Sequence, residues 1–584
     1  MIKYNKQMKK HILTFILSLV AITAFSQKKQ RDTLGTEVIN VVKSYSPTVS
    51  DAFKIKSSPI IDTTALNVKK NISYNINSVP VASTFTPAKG KAKVLRVNPS
   101  PPVYDNYFSV GFGNFKTPGV EFFAHGSSNR YNDFGLFIDY ISSKGGVNDV
   151  VLDDSYYSGN VNLFYKQEER DFYWQVDGGA NLSKNNWYGL SDFITYNKNV
   201  IKAIEERQDF TNVYVNGRID YKESFFKGAS VKANRFTDNA GTAEIHFLAR
   251  PKIEFPITSE LINVDARVEF LRGEFSRNYE NTDDLSYTFF NVGLNPNLEI
   301  LQNNLTVNLG VKLLYSAGKG SGNENKGYYY PNVWASYKLI DEVVTVYAGV
   351  TGDLHQNSFK SYTNKNPYVS PTLLMRNTDE QYNIFLGVKG KLASNISYNL
   401  KGFYKNEKDK PMYLLNPSMT DGNNIVAFGY QAGNSFNVVY DTVKTAGASG
   451  EISIDLSKQL KIGGAGTLNV YDVKTEKRPW NLPALEVSAF ANYNNQNWFA
   501  GANIFYVGSR KDRFSLVDGF GIPDREIQLG DYIDLNLNGG YRFNEKLTVF
   551  ARANNILSSD YQKYANFYVQ GLQIFGGLTY KFDL

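Results

Sequence analysis

The sequence predicts an all-β fold: a transmembrane antiparallel β-barrel of about 22 strands (20–24), preceded by an extended periplasmic segment. Three observations carry this expectation. Tyr 40, Phe 39 and Trp 5 bring aromatics to 14% of the 584 residues. Yet no run after the first thirty residues reaches the ~18 uninterrupted apolar residues of a membrane helix. From Tyr107 onward hydrophobicity alternates with a period of two, the mark of strands with one apolar and one polar face. Finally, very short polar turns alternate with long Gly- and Asn-rich loops. A barrel with short periplasmic turns and long outer loops requires that rhythm, and a soluble sandwich does not.

Residues 1–26 read as a secretory signal. Lys3, Lys6, Lys9 and Lys10 precede the apolar run Ile12–Phe25, and Ala24-Phe25-Ser26 offers a small-residue cleavage site after Ser26. Fourteen apolar residues are too few for a spanning helix. Residues 27–104 differ from all that follows. They hold twelve Lys/Arg against Asp32, Glu37, Asp51 and Asp62, together with seven of the nineteen prolines. This composition predicts a basic periplasmic arm or reduced plug, extended or weakly folded. The remaining residues, 105–584, carry a small net negative charge and form the expected barrel.

Within the barrel the alternation is direct. Phe172, Trp174, Val176, Ala180 and Leu182 alternate with Tyr173, Gln175, Asp177 and Asn181. Leu305 to Leu313 and Ile533 to Phe543 repeat the pattern. Short turns are expected at Thr258–Glu260, Gln302–Asn304, Ile340–Glu342, Ala393–Asn395, Ser457–Gln459, Asn494–Asn497 and Asn544–Lys546, and long loops at 317–327, 351–377 and 509–531. The pattern blurs in 222–242 and 405–443. An even strand count leaves both termini on the short-turn, periplasmic side. In lipid every backbone N–H and C=O needs a partner, so a sheet spans only when closed.

The polar faces carry Asp265, Arg267, Lys312, Asp534, Arg542 and Arg552, expected to face a wet or filled lumen. The absence of Cys excludes a disulfide framework, a thiol nucleophile, a Cys-ligated metal and a lipid-modified N-terminal Cys. His125, His246 and His355 stand without a second His or a carboxylate in a recognisable ligand motif, so polar lumen or loop positions are expected for them. There is no G-x-S-x-G elbow, no HExxH and no EF-hand spacing. Gly463-Gly464-Ala465-Gly466 falls in an alternating strand, where glycine eases close packing and curvature. No enzyme, no cofactor and no metal site is expected, and no nucleic-acid partner.

The stretch YIDLNLNGGYRFNEKLTVFARANNILSSDYQ (532–562) pairs two strands about a tight turn, then runs through Asn554-Asn555-Ile556-Leu557 to Tyr561. It resembles the C-terminal region of TonB-dependent receptors of the Bacteroidota type, and residues 443–473 resemble that family's Gly-x-Glu strand, turn and strand. The resemblance implies a 22-stranded barrel in the outer membrane and solute uptake. It also implies a final strand, with Tyr580, Phe582 and Leu584, that is read by the barrel assembly machinery. Asp32 to Val42 looks like a TonB box, with Thr36, Glu37, Val38, Ile39, Asn40, Val41 and Val42 as the strand-adding run. That run could equally pair with the barrel wall or another partner. A full plug domain like the family's is not expected here, because only the 27–104 arm is expected to separate the signal from the first strand and its composition is poor for a packed plug. Two functions therefore stay open, a transporter with a reduced or absent plug, and a non-transporting scaffold of an outer-membrane assembly or secretion complex. An adhesin-like barrel working through its loops is a third. Without a plug, inward-folding loops, the arm or another protein must fill so wide a lumen.

Overall fold

The computed structural model describes residues 104–129, 131–257, 260–319, 325–517 and 523–583. The expected signal, the expected arm with its Thr36–Val42 run, and Leu584 lie outside the described residues. Twenty-two antiparallel strands form one sheet in which each barrel strand pairs with the next. The first, Asn106–Gly113, also pairs with the last, Gln573–Phe582, in register from Asn106↔Phe582 to Gly113↔Phe575. That seam removes both edges and satisfies the backbone around the whole cylinder. The expected fold class and strand number hold.

Side-chain alternation sets the two faces of the wall. On the last strand Ile574, Leu578 and Tyr580 are exposed on the outside, while Phe575, Gly577 and Thr579 turn inward. Elsewhere Ile384, Leu386, Leu392 and Leu400 are exposed outward in the same way. An apolar face of this kind suits hydrocarbon. Gly463 belongs to the strand Leu460–Val473, and a Cβ there would stand 2.6 Å from the Phe490 ring of the adjacent strand. Its glycine is a packing requirement, as the sequence suggested.

The six expected short turns that lie wholly within the described residues all fall at one end of the barrel. At one of them Asn303 takes φ 51°, a left-handed conformation that Asn tolerates. The long loops gather at the other end, although two connections there, 114–116 and 239–242, are also short. The blurring in 405–443 has a physical cause. Strands Ile396–Leu415 and Phe436–Asp455 run twenty residues each, and Met412, Leu414, Leu415, Phe436 and Val438 at their long-loop ends are buried. Alternation fails where both faces of a strand are covered.

Candidate functional site: a loop-built cap and the wall beneath it

The long loops assemble into a body with its own core. The loop between the fifth and sixth strands places Trp187, whose Nε1 donates to the Tyr368 carbonyl (3.2 Å) and whose carbonyl accepts from Asn434 Nδ2 (2.7 Å). Asn434 belongs to the loop between the fifteenth and sixteenth strands. Ten strands separate these loops in a ring of twenty-two, so the contact crosses the barrel mouth. Other ties complete the body. Ser418 N–H donates to the Ser515 carbonyl (2.9 Å), Gly571 N–H to the Gly146 carbonyl (2.9 Å), and Tyr188 Oη to the Tyr568 carbonyl (2.7 Å). Tyr368 stacks on Phe567 at 3.7 Å between ring centroids.

Two short helices belong to this body: α1 (Lys198–Ala203) and α2 (Phe359–Lys365). Helix α2 begins with a capping box in which Ser358 Oγ accepts from Ser361 N–H and Ser361 Oγ from Ser358 N–H, both 3.0 Å. It inserts Phe359, fully buried, against Phe210, Phe236 and Phe275. Those three rings project inward from the sixth, seventh and ninth strands, whereas α2 hangs between the thirteenth and fourteenth. The helix therefore reaches across the lumen. Edge-to-face packing, 90° at 5.1 Å for Phe275, fixes its orientation. A carboxylate from the wall secures it: Glu244, fully buried, accepts from Phe359 N–H (2.7 Å), Lys360 N–H (3.3 Å) and Tyr287 Oη (2.6 Å).

Asp512 is the corresponding buried carboxylate among the loops. It lies on the ribbon Arg510–Phe514, which pairs with Arg525–Leu529 apart from the barrel sheet. It accepts from Leu415 N–H (3.0 Å), Asn481 Nδ2 (2.7 Å) and Arg513 N–H (2.8 Å), tying three segments together. Burial pushes its carboxyl up to about 6, although these donors pull the other way.

Beneath the cap, charges converge. Lys312 Nζ lies 2.8 Å and Arg267 Nη1 3.5 Å from the Asp353 carboxylate. Arg267 also pairs with Glu269, which His246 meets at 2.8 Å. Three strands lie between those of Arg267 and Asp353, so only the concave side permits their contact. The other expected charges stand apart. Asp265 accepts from Asn295 Nδ2 (3.3 Å), and Asp534 accepts from Tyr561 Oη (3.0 Å). Arg542 donates to the Asn495 carbonyl (2.7 Å) at the short-turn end, and Arg552 lies 5.0 Å over the Phe550 ring.

Each barrel histidine has a carboxylate partner that the sequence motifs did not announce. His125 is 3.3 Å from Asp133, His246 is 2.8 Å from Glu269, and His355 is 3.5 Å from Glu380. His355 also ends the strand Val344–His355 instead of lying in a loop. Counting outward from the 258–259 turn would have placed His246 diagonal to Glu269. Nothing comparable locates Asp353. Among the described residues no group of three or more His, Asp and Glu is arranged to hold a metal ion. Asn555, from the C-terminal motif, is a loop clamp: its Nδ2 donates to the Ser559 and Gln570 carbonyls and its Oδ1 accepts from Ser559 N–H.

No family model and no curated protein matches the sequence. Solved structures do match the fold. The ferripyoverdine receptor of the outer membrane of Pseudomonas aeruginosa, bound to ferripyoverdine, aligns with a TM-score of 0.60 and 14% identity, over 83% of this chain and 72% of that one. The ferric-catecholate import receptor Fiu from Escherichia coli K12 gives 0.59 and 11% identity over 82% of each chain. The siderophore receptor PirA from Acinetobacter baumannii gives 0.60 and 12% identity, over 82% of this chain and 80% of that one. At such identities the likeness establishes a shared barrel architecture, the class the fold defines.

Proposed function

We propose that this chain is an outer-membrane barrel for solute uptake whose mouth is closed by a cap of its own loops, with both termini in the periplasm. The observation that carries the reading is α2, held inside the upper lumen by Phe359 and Glu244 in a barrel otherwise like those of the siderophore receptors named above. A loop element does here what an N-terminal plug would otherwise do. Asp265, Arg267, Lys312, Asp534, Arg542 and Arg552 belong to the lumen beneath, and the reach of Arg267 to Asp353 supports this for the upper wall. The Thr36–Val42 run docks by strand addition to an energy-transducing periplasmic partner. Tyr580, Phe582 and Leu584 serve recognition by the assembly machinery.

The test is uptake by cells carrying the chain with residues 32–42 deleted. Energy-dependent uptake disappears while the barrel still assembles; unchanged uptake would sink the energised reading. A second reading, a non-transporting scaffold, draws on the interlocking of the cap. Asn416, Ser370 and Ser435 are fully or nearly fully buried there, and Asn416 Nδ2 donates to both serine hydroxyls. Gentle detergent extraction and mass spectrometry separate the two, since a scaffold co-elutes with stoichiometric envelope proteins and a transporter does not.

A further inference from the structure

We propose that the inner wall made by the strands Thr378–Ala393 and Ile396–Leu415 is a binding surface for a multivalent anion of carboxylate or phosphate type. Outward from these strands point Ile384, Leu386, Leu392, Leu400 and Tyr404, all exposed. The intervening residues face the lumen, and among them Lys389, Lys401 and Lys405 form one ladder with aromatic rings. Lys389 Nζ lies 5.5 Å over Tyr347, Lys401 lies 4.8 Å over Phe385 and 5.9 Å over Phe403, and Lys405 lies 5.5 Å over Phe403. The rings are themselves adjacent, with Tyr347 and Phe385 6.1 Å apart. Ring faces hold the ammonium groups without neutralising them.

Several other inward cations are paired with acids, whereas Lys166 and Arg552 lie singly over Phe164 and Phe550. Arg267 and Lys312 share Asp353, Arg218 meets Asp220, and Lys410 meets Glu407 at 2.5 Å. Among the described residues no carboxylate lies within ion-pair distance of Lys389, Lys401 or Lys405. Acids on or beside this wall are Glu380, which pairs with His355, Glu407, which pairs with Lys410, and Glu451, opposite Asn399 on the adjoining strand. Three like charges along one wall are costly unless an anion joins them.

A second, independent observation concerns the opposite wall. Glu121, Asp139 and Asp177 face inward from the second, third and fifth strands, with Asn160 donating to Asp139 and Asn216 to Asp177. The third and fourteenth strands are eleven apart in a ring of twenty-two and so face each other across the lumen. These acids stand across the lumen from the ladder, although Lys166 and Arg218 share their wall and Glu380 and Glu407 share the ladder's. The three clustered ammonium groups still draw an anion to the ladder. The basic arm, with twelve Lys/Arg against four acids, is the wrong occupant for this wall.

The inference deepens the uptake reading by naming a solute class, but its test needs no transport. Full-length protein in detergent, checked for a folded barrel by heat-modifiable gel migration, is titrated calorimetrically with pyrophosphate and, separately, with citrate. Binding of at least one anion is expected. It weakens by about tenfold or more in the Lys401→Gln/Lys405→Gln double variant, survives in Lys401→Arg, and is unchanged in Lys222→Gln, whose lysine pairs with Glu168 at the short-turn end. Silence of the folded wild type toward both anions, or equal binding by the double variant, overturns the anion surface. Failed uptake with intact binding would instead count against the transport reading alone.

Discussion

Phe359 and Asp512 show how single side chains set the state of the cap. Phe359→Ala removes a ring packed on three others and leaves a cavity that the rigid barrel wall cannot collapse to fill. The expected cost is ~3–5 kcal/mol of local stability, read as faster amide exchange throughout α2 with the barrel strands unaffected. Glu244→Ala acts at the same point, leaving two backbone N–H groups and the Tyr287 hydroxyl without their acceptor. Each such group costs about 1–3 kcal/mol, and the same exchange measurement checks it. Asp512 gives the cap a pH dependence of definite sign. Its carboxyl titrates near 6 in the folded cap, above its ordinary value of 3.8. The folded cap therefore binds a proton more tightly than the open one. Its stability rises as pH falls from above 6 toward 4 and is flat above that window. Protease protection of residues 508–531 increases on acidification over that range, and a decrease would contradict the assignment.

At the scale of elements, the loop carrying α2 reaches into the lumen, so its removal is expected to open the barrel. Replacing residues 356–377 with a short Gly-Ser link leaves the thirteenth and fourteenth strands paired through Thr345↔Lys389 to Thr351↔Asn383. The barrel then folds, as heat-modifiable migration reports, while its mouth loses α2. The same scale shows what a sequence can and cannot disclose. Period-two alternation exposed the strands because each wall residue sees one of two environments, lipid or lumen. Turn residues such as Asn303 marked the tight connections by their own backbone preference. The cap was not legible, because its partners lie hundreds of residues apart and its segments carry no period. Tyr188 and Tyr568, or Trp187 and Asn434, meet only because a closed barrel brings distant loops to one rim. The upper strands 405–415 and 436–443 blurred for the same reason: the cap covers the face that would otherwise alternate. The charges on the polar faces were visible one by one, whereas the convergence of Arg267 and Lys312 on Asp353 depends on curvature.

At the scale of the whole molecule, closure appears twice. The pairing of Asn106–Gly113 with Gln573–Phe582 closes the sheet around its circumference, and the loop core closes its mouth. The first follows from the cost of unpaired backbone in lipid, the second from burying Phe359, Tyr362, Phe436 and Phe567 away from water. On the proposed reading, the packed mouth keeps the barrel closed until the cap moves. Single-channel recording in planar bilayers tests this most directly, comparing the wild type with the 356–377 replacement. Closure by the loops predicts negligible steady conductance for the wild type and large, stable openings for the replacement. A large steady conductance in the wild type, or a replacement that stays silent although folded, would contradict it.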